Sequence, residues 1–267
     1  MIGSAAPTQE GAVARRRVPP AIPVAIGLSW ALAVVTQVSG TEALLGHDAL
    51  IHHRTMPLVA ALAIFLLAWQ AMIVSMMLPS SLPMIRMFGG AAAGQDRPGH
   101  AMVAFLGGYA VVWTAFGAAA FLGDAALHYT ADRTPWLLAH PQVIGASVLA
   151  LAGAFQFSSL KDRCLSECRQ PGPFLMSRYG RGAGAAFRLG SAHGRFCLGC
   201  CWALMLVMFA VGVAHLWWMA ALTAVMVFEK RARHGATAVP WIGVILLALS
   251  ASVLLQYPAW LPRLLAH

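Results

Sequence analysis

Charge is the scarcest ingredient of this chain. Only 10% of its 267 residues are Asp, Glu, Lys or Arg, and just 9 of those positions are acidic. A soluble domain of this length needs far more charge to cover its surface, so the apolar excess faces something other than water. Alternating ten-residue segments are also missing, which excludes a transmembrane barrel. No hydrolase triad, phosphate-binding loop or dinucleotide fingerprint occurs, and no internal repeat is visible. Few acids fall inside the apolar runs, which leaves no proton relay of the kind that pumps use. Together these absences argue against an enzyme.

What is present is apolar: 60% of the residues are hydrophobic. The runs at 20–38, 57–78, 100–123, 141–160 and 239–257 each approach the roughly 20 residues that a helix needs to cross a bilayer. Lipid leaves every backbone polar group in need of an internal partner, so these runs are expected to be helices. The stretch 197–228 would rise about 48 Å as one helix, well beyond the hydrocarbon core. Splitting it near 212–215 gives seven spans; leaving it whole gives six.

The split also sharpens the charge pattern. With the N-terminus in the cytoplasm, fifteen Lys and Arg residues lie inside and three outside, namely Arg54, Arg133 and Arg263. The expected fold is therefore all-α, a polytopic transmembrane helical bundle of about seven spans. It has a cytoplasmic tail at 1–19, one membrane domain at 20–260, and a cytoplasmic Cys- and Arg-containing loop at 161–196. The tail carries Arg15, Arg16 and Arg17 ahead of an apolar stretch, as a signal peptide would. That stretch is long and lacks a small-x-small cleavage site, so it reads as a retained first span. The formal charge of +9 does not point to nucleic acid, because the Arg residues sit in short connectors rather than on a soluble face.

All five cysteines fall between positions 164 and 201. Cys164 and Cys168 form CLSEC, and Cys197, Cys200 and Cys201 form CLGCC. Spacings of three and four put thiols on one face of a helix. Five thiols on the cytosolic side argue against structural disulfides. They fit a soft-metal site for Cu(I) or Zn, a structural Zn site with ribbon-like spacing, or plain packing by small side chains. Arg163, Arg169 and Arg195 flank them, and CLGCC is expected to open a helix; both effects favour thiolate.

Soft donors of a second kind end the second run. Met72, Met76 and Met77 precede Pro79 and Pro83, with Met84 and Met87 just beyond, and Met205 and Met208 follow CLGCC. Thioethers suit Cu(I), although a methionine stripe also packs a membrane helix well. His47, His52, His53, His128 and His140 lie with Glu42, Asp48, Asp124 and Asp132 in expected outside loops. His215 stands apart, between two apolar runs beside Trp217 and Trp218.

Three segments carry a family resemblance: Trp69-x2-Met72-x3-Met76-Met77-x-Pro79, FQFSSLKDRCLSECRQPGPFL from Phe155, and HGRFCLGCCWALMLVMFAVGV from His193. In these the chain resembles the predicted metal-binding integral membrane proteins grouped as domain of unknown function 2182. The resemblance extends from Trp69 to Glu229 and Lys230. It implies a multi-span metal-binding protein, and some similar proteins are labelled copper chaperones that load secreted or membrane oxidases. The positions it implies as ligands are Cys164, Cys168, Cys197, Cys200 and Cys201, with Met72, Met76 and Met77. Two departures stand out. Ser75 replaces a usual Ala, and Ala214-His215 replaces a usual Met-Asn, which removes a thioether from this pair and brings in a harder imidazole.

The leading expectation is a copper chaperone or transfer factor in the plasma membrane of a bacterium, handling Cu(I) and passing it to a copper-dependent oxidase. Zinc is the alternative metal. A thiol–disulfide redox protein using Cys197 and Cys200, and a membrane scaffold with structural Zn, are the competing functions.

Overall fold

The computed structural model describes residues 18–40, 57–211 and 215–256. The regular elements among them are eleven helices, and no strand occurs among the described residues. In chain order they are α1 Ala21–Val38, α2 Leu58–Met76, α3 Leu78–Ala92, α4 Pro98–Ala131, α5 Pro135–Ala139 and α6 Gln142–Phe155. There follow α7 Ser159–Arg169, α8 Pro171–Arg178, α9 Ala183–Val211, α10 Leu216–Arg231 and α11 Gly235–Gln256. Most of the 1–19 tail, the histidines and acids between 42 and 53, Arg54, Ala214 and Arg263 lie outside the described residues.

Five helices (α1, α2, α4, α9 and α11) are long and apolar enough to cross a membrane, and α6 with α7 makes a sixth if that pair, bent by 65°, is one span. The 197–228 stretch does divide, at His215, which caps α10. The count falls below seven because α10 has 16 residues and rises only about 24 Å. Chain ends at α2 behave as the prolines dictate. The helix stops at Met76, and a new one starts at Leu78 with Pro in its first turn and Pro83 inside it.

The expected loop at 161–196 is largely helical instead. Ser158 starts α7 by accepting the Lys161 amide at 3.2 Å, with Asp162 in the first turn and Arg169 in the last, each matching the helix dipole. Pro171 then opens α8. Gly182, with φ of 88°, makes the left-handed turn into α9. These local signals are short, and a reading based on apolar runs passes over them. CLGCC consequently does not open a helix: Cys197 lies fourteen residues inside α9, so the helix N-terminus lends its thiol no charge.

Small residues let the central helices touch. A Cβ at Gly108 would collide with the Phe187 carbonyl, and one at Gly190 with the Phe105 carbonyl. This is how membrane helices gain van der Waals contact without a hydrophobic driving force. It makes α4 and α9 the most intimate pair in the molecule. Trp69 of α2 joins them, donating its indole N–H to the Trp113 carbonyl at 2.9 Å with its ring over Gly117. Further along, α11 packs on α6 through Gly153 and the 2.7 Å bond from Ser250 to the Ala146 carbonyl.

Candidate metal centre

Inside this bundle α7, α9 and α10 meet around the cysteines. α9 buries Cys197, Cys200 and Cys201 completely. α7 presents Cys164 and Cys168 to it from one face, as their spacing of four predicts. Cys164 presses on Gly199, where a Cβ would stand 2.5 Å from its sulfur, so glycine is required for the two helices to approach. Cys168, half-buried, lies 4.0 Å from the Cys200 sulfur. From the end of α2, Met77 brings its thioether within 3.8 Å of the Cys201 sulfur. All five cysteines are free thiols.

These sulfur separations carry chemical meaning. Two ligands at the roughly 2.3 Å that thiolate sulfur keeps from zinc stand about 3.8 Å apart at a tetrahedral angle. The Cys201–Met77 and Cys168–Cys200 pairs are therefore close enough to share a metal ion, at separations that are also ordinary sulfur–sulfur contact. They are pairs, however, and not a cage. Among the described residues no three His, Cys, Asp or Glu side chains converge as a ready metal cluster. Cys200 and Cys201 both donate back to the Cys197 carbonyl, at 3.1 and 2.8 Å, so each thiol has a backbone partner. Soft sulfur donors in pairs fit a soft ion of low coordination number better than four-coordinate structural zinc. Met72 and Met76 are buried on α2, and among the described residues neither bonds a thiol.

The cation beside the thiols is Lys230, not an arginine. Its ammonium, almost wholly buried, donates to the Ser80 hydroxyl and the Cys197 sulfur, each at 3.2 Å, and reaches the Cys201 sulfur at 4.0 Å. Cys197 is also 3.1 Å from the Tyr109 hydroxyl, which contacts Ser81, itself 3.3 Å from His193. The neighbouring Glu229 is taken by Lys161, with 2.8 and 2.9 Å bonds between two side chains that are 1% and 0% exposed. Lys230 thus shares no ion pair with a carboxylate among the described residues, and sulfur is its counterpart.

The expected flanking arginines act elsewhere. Arg169 caps the end of α10 by donating to the carbonyls of Glu229, Ala232 and Arg233. Sequence reading placed Lys230 among loop charges and did not single out Tyr109, Ser80 or His193. The available signal was an acid–base pair, Glu229-Lys230, directly ending an apolar run. A cleft of about 180 Å³ leads to this place, lined by Ser80, Met84, Cys168, Arg169, His193 and Lys230 among others. Cys168 is the one cysteine among the cleft's lining residues.

The family model for the PpoB2 copper chaperones matches residues 66–253, which spans all of these groups. The chain belongs to the PpoB2 copper chaperone family. Neither a curated protein nor a solved structure matches it. Membership of this copper chaperone family assigns it a general role in copper handling, in keeping with a buried cluster of soft donors. Of the expected outer histidines, His47, His52 and His53 lie outside the described residues; His140 bonds the Trp136 carbonyl, and His128 lies 3.7 Å from Asp124 one helical turn away.

Proposed function

We propose that the protein is a membrane-embedded copper chaperone that takes up Cu(I) on sulfur and releases it by ligand exchange, without catalysing a reaction. The observation that carries this reading is the linked set Cys168–Cys200 and Cys201–Met77, with Cys197 and the Lys230 ammonium between them. Cys168 at the cleft is the receiving thiol, and Cys200 with Cys197 and Cys201 the buried acceptors. Each exchange breaks one copper–sulfur bond as another forms, so the ion keeps its charge throughout. Two thiolates on Cu(I) leave one negative charge, which the Lys230 ammonium balances in a dry interior where an unpaired charge is costly. An oxidase that needs copper is the recipient class.

The test is metal content by mass spectrometry on detergent-purified protein, after growth with copper and zinc. The wild type should hold copper and the Cys197→Ser/Cys200→Ser variant should lose it while still inserting in the membrane. Zinc in a fixed ratio would favour a structural site. No metal in either, with a reversible Cys197–Cys200 disulfide, would favour thiol redox chemistry.

A further inference from the structure

Beyond the thiols, sulfur continues through the bundle. On α9 the residues Cys197, Cys201, Met205 and Met208 follow one another at spacings of four, four and three, which places them on one helix face. From the first to the last the helix rises about 16 Å. All four are 0% exposed. On α10, running back alongside, Met226 and Met219 share a face with Lys230 and with His215 at the helix cap, and both methionines are buried. Just past α2, Met77 meets Cys201 while Trp69, eight residues earlier, packs tilted against Phe209, eight residues later, with ring centroids 5.6 Å apart. The antiparallel register so fixed puts Met72 within one residue of the level of Met205.

Two features mark this column as more than packing. At its far end the His215 Nδ1 is buried and finds no hydrogen-bond partner among the described residues. A buried imidazole nitrogen left without a partner costs free energy unless something binds it. At the level of Met208 the rings of Phe65, Trp69 and Phe209 converge at centroid distances of 5.6 to 5.7 Å, offering π faces to a cation.

We propose that the buried methionines of α2, α9 and α10 form a path along which Cu(I) passes from the thiol cluster to His215 at the opposite end of the bundle. The inference rests on the copper reading above and extends it from holding the metal to moving it across. In the first step the bond from copper to the Cys201 thiolate breaks as the Met77 thioether bonds it, 3.8 Å away. That thiolate stays beside the Lys230 ammonium; the bond to the second thiolate breaks in turn as another thioether bonds the copper, and the thiolate so freed takes back a proton from water. The ion travels as a monocation on neutral thioethers, and neither oxidant nor reductant is consumed.

The full-length protein in liposomes enclosing a water-soluble Cu(I)-chelating dye tests this directly. Cu(I) kept reduced with ascorbate is added outside, and dye colour and protein-bound copper are both measured. The wild type should bind copper and deliver it to the dye. A Met205→Leu/Met208→Leu/Met219→Leu variant, whose swaps nearly conserve volume, should bind the same amount and deliver it at least tenfold more slowly. The single Met208→Leu variant should be slowed severalfold, which guards against a folding defect in the triple variant. Equal delivery by wild type and both variants would overturn the path, as would a wild type that binds copper and delivers none. A wild type that binds no copper would instead remove the reading on which the path rests, and the path with it.

Discussion

The Lys230 ammonium stands 3.2 Å from the Cys197 sulfur, and no carboxylate among the described residues pairs with it. Glu229, next in the chain, spends its carboxylate on Lys161, so a lysine buried to 7% exposure finds its direct negative partners among the thiols around it. On the function proposed above, the same charge balances an anionic bis-thiolate complex of Cu(I).

Replacing Lys230 with Met should therefore weaken copper retention while leaving the helices in place. Hydrogen bonds to charged groups contribute about 1.5–3 kcal/mol, which corresponds to roughly a tenfold to hundredfold loss of affinity. Titration of the copper-loaded Lys230→Met protein with a competing Cu(I) chelator measures it. An affinity equal to the wild type would show that the ammonium plays no part in holding metal.

Lys161 and Glu229 form a buried ion pair that joins α7 to α10. Glu229→Gln would leave the Lys161 ammonium unpaired at 0% exposure, a loss of about 3–5 kcal/mol. Lys161→Met/Glu229→Leu removes both charges and should be distinctly milder. Thermal unfolding of the three proteins in detergent gives the comparison, with the single variant expected to melt lowest.

Gly190 decides whether α4 and α9 can touch, since a Cβ there would meet the Phe105 carbonyl. Gly190→Leu should push the helices apart and disturb Tyr109, which bridges them to Cys197. The expected result is a protein that melts lower and whose thiols react faster with a bulky alkylating reagent. Unchanged alkylation kinetics would mean that the α4–α9 contact does not shield the cysteines.

Much of this architecture is legible in the sequence because lipid enforces a simple code. Apolar runs near 20 residues become helices, and the break in 197–228 falls where it must for both halves to fit. The cysteine spacings likewise place Cys164 with Cys168 on one face of α7. What the code does not reach is the chemistry between helices. Lys230 reads as one more basic residue after an apolar run until α10 folds back on α9 and carries it to Cys197. Arg169 reads as a neighbour of Cys168, yet its long side chain turns to the carbonyls ending α10. Helices α7 and α8 are hidden because a capping serine and two prolines, rather than an apolar period, define them.

The central claim is that sulfur from different helices closes on one copper ion. X-ray absorption at the copper edge of the loaded, detergent-purified protein tests it most directly, with Cys201→Ser measured alongside. The account predicts Cu(I) in a coordination sphere of sulfur alone, with fewer sulfur neighbours in the variant. A coordination sphere dominated by nitrogen or oxygen, unaffected by Cys201→Ser, would contradict it.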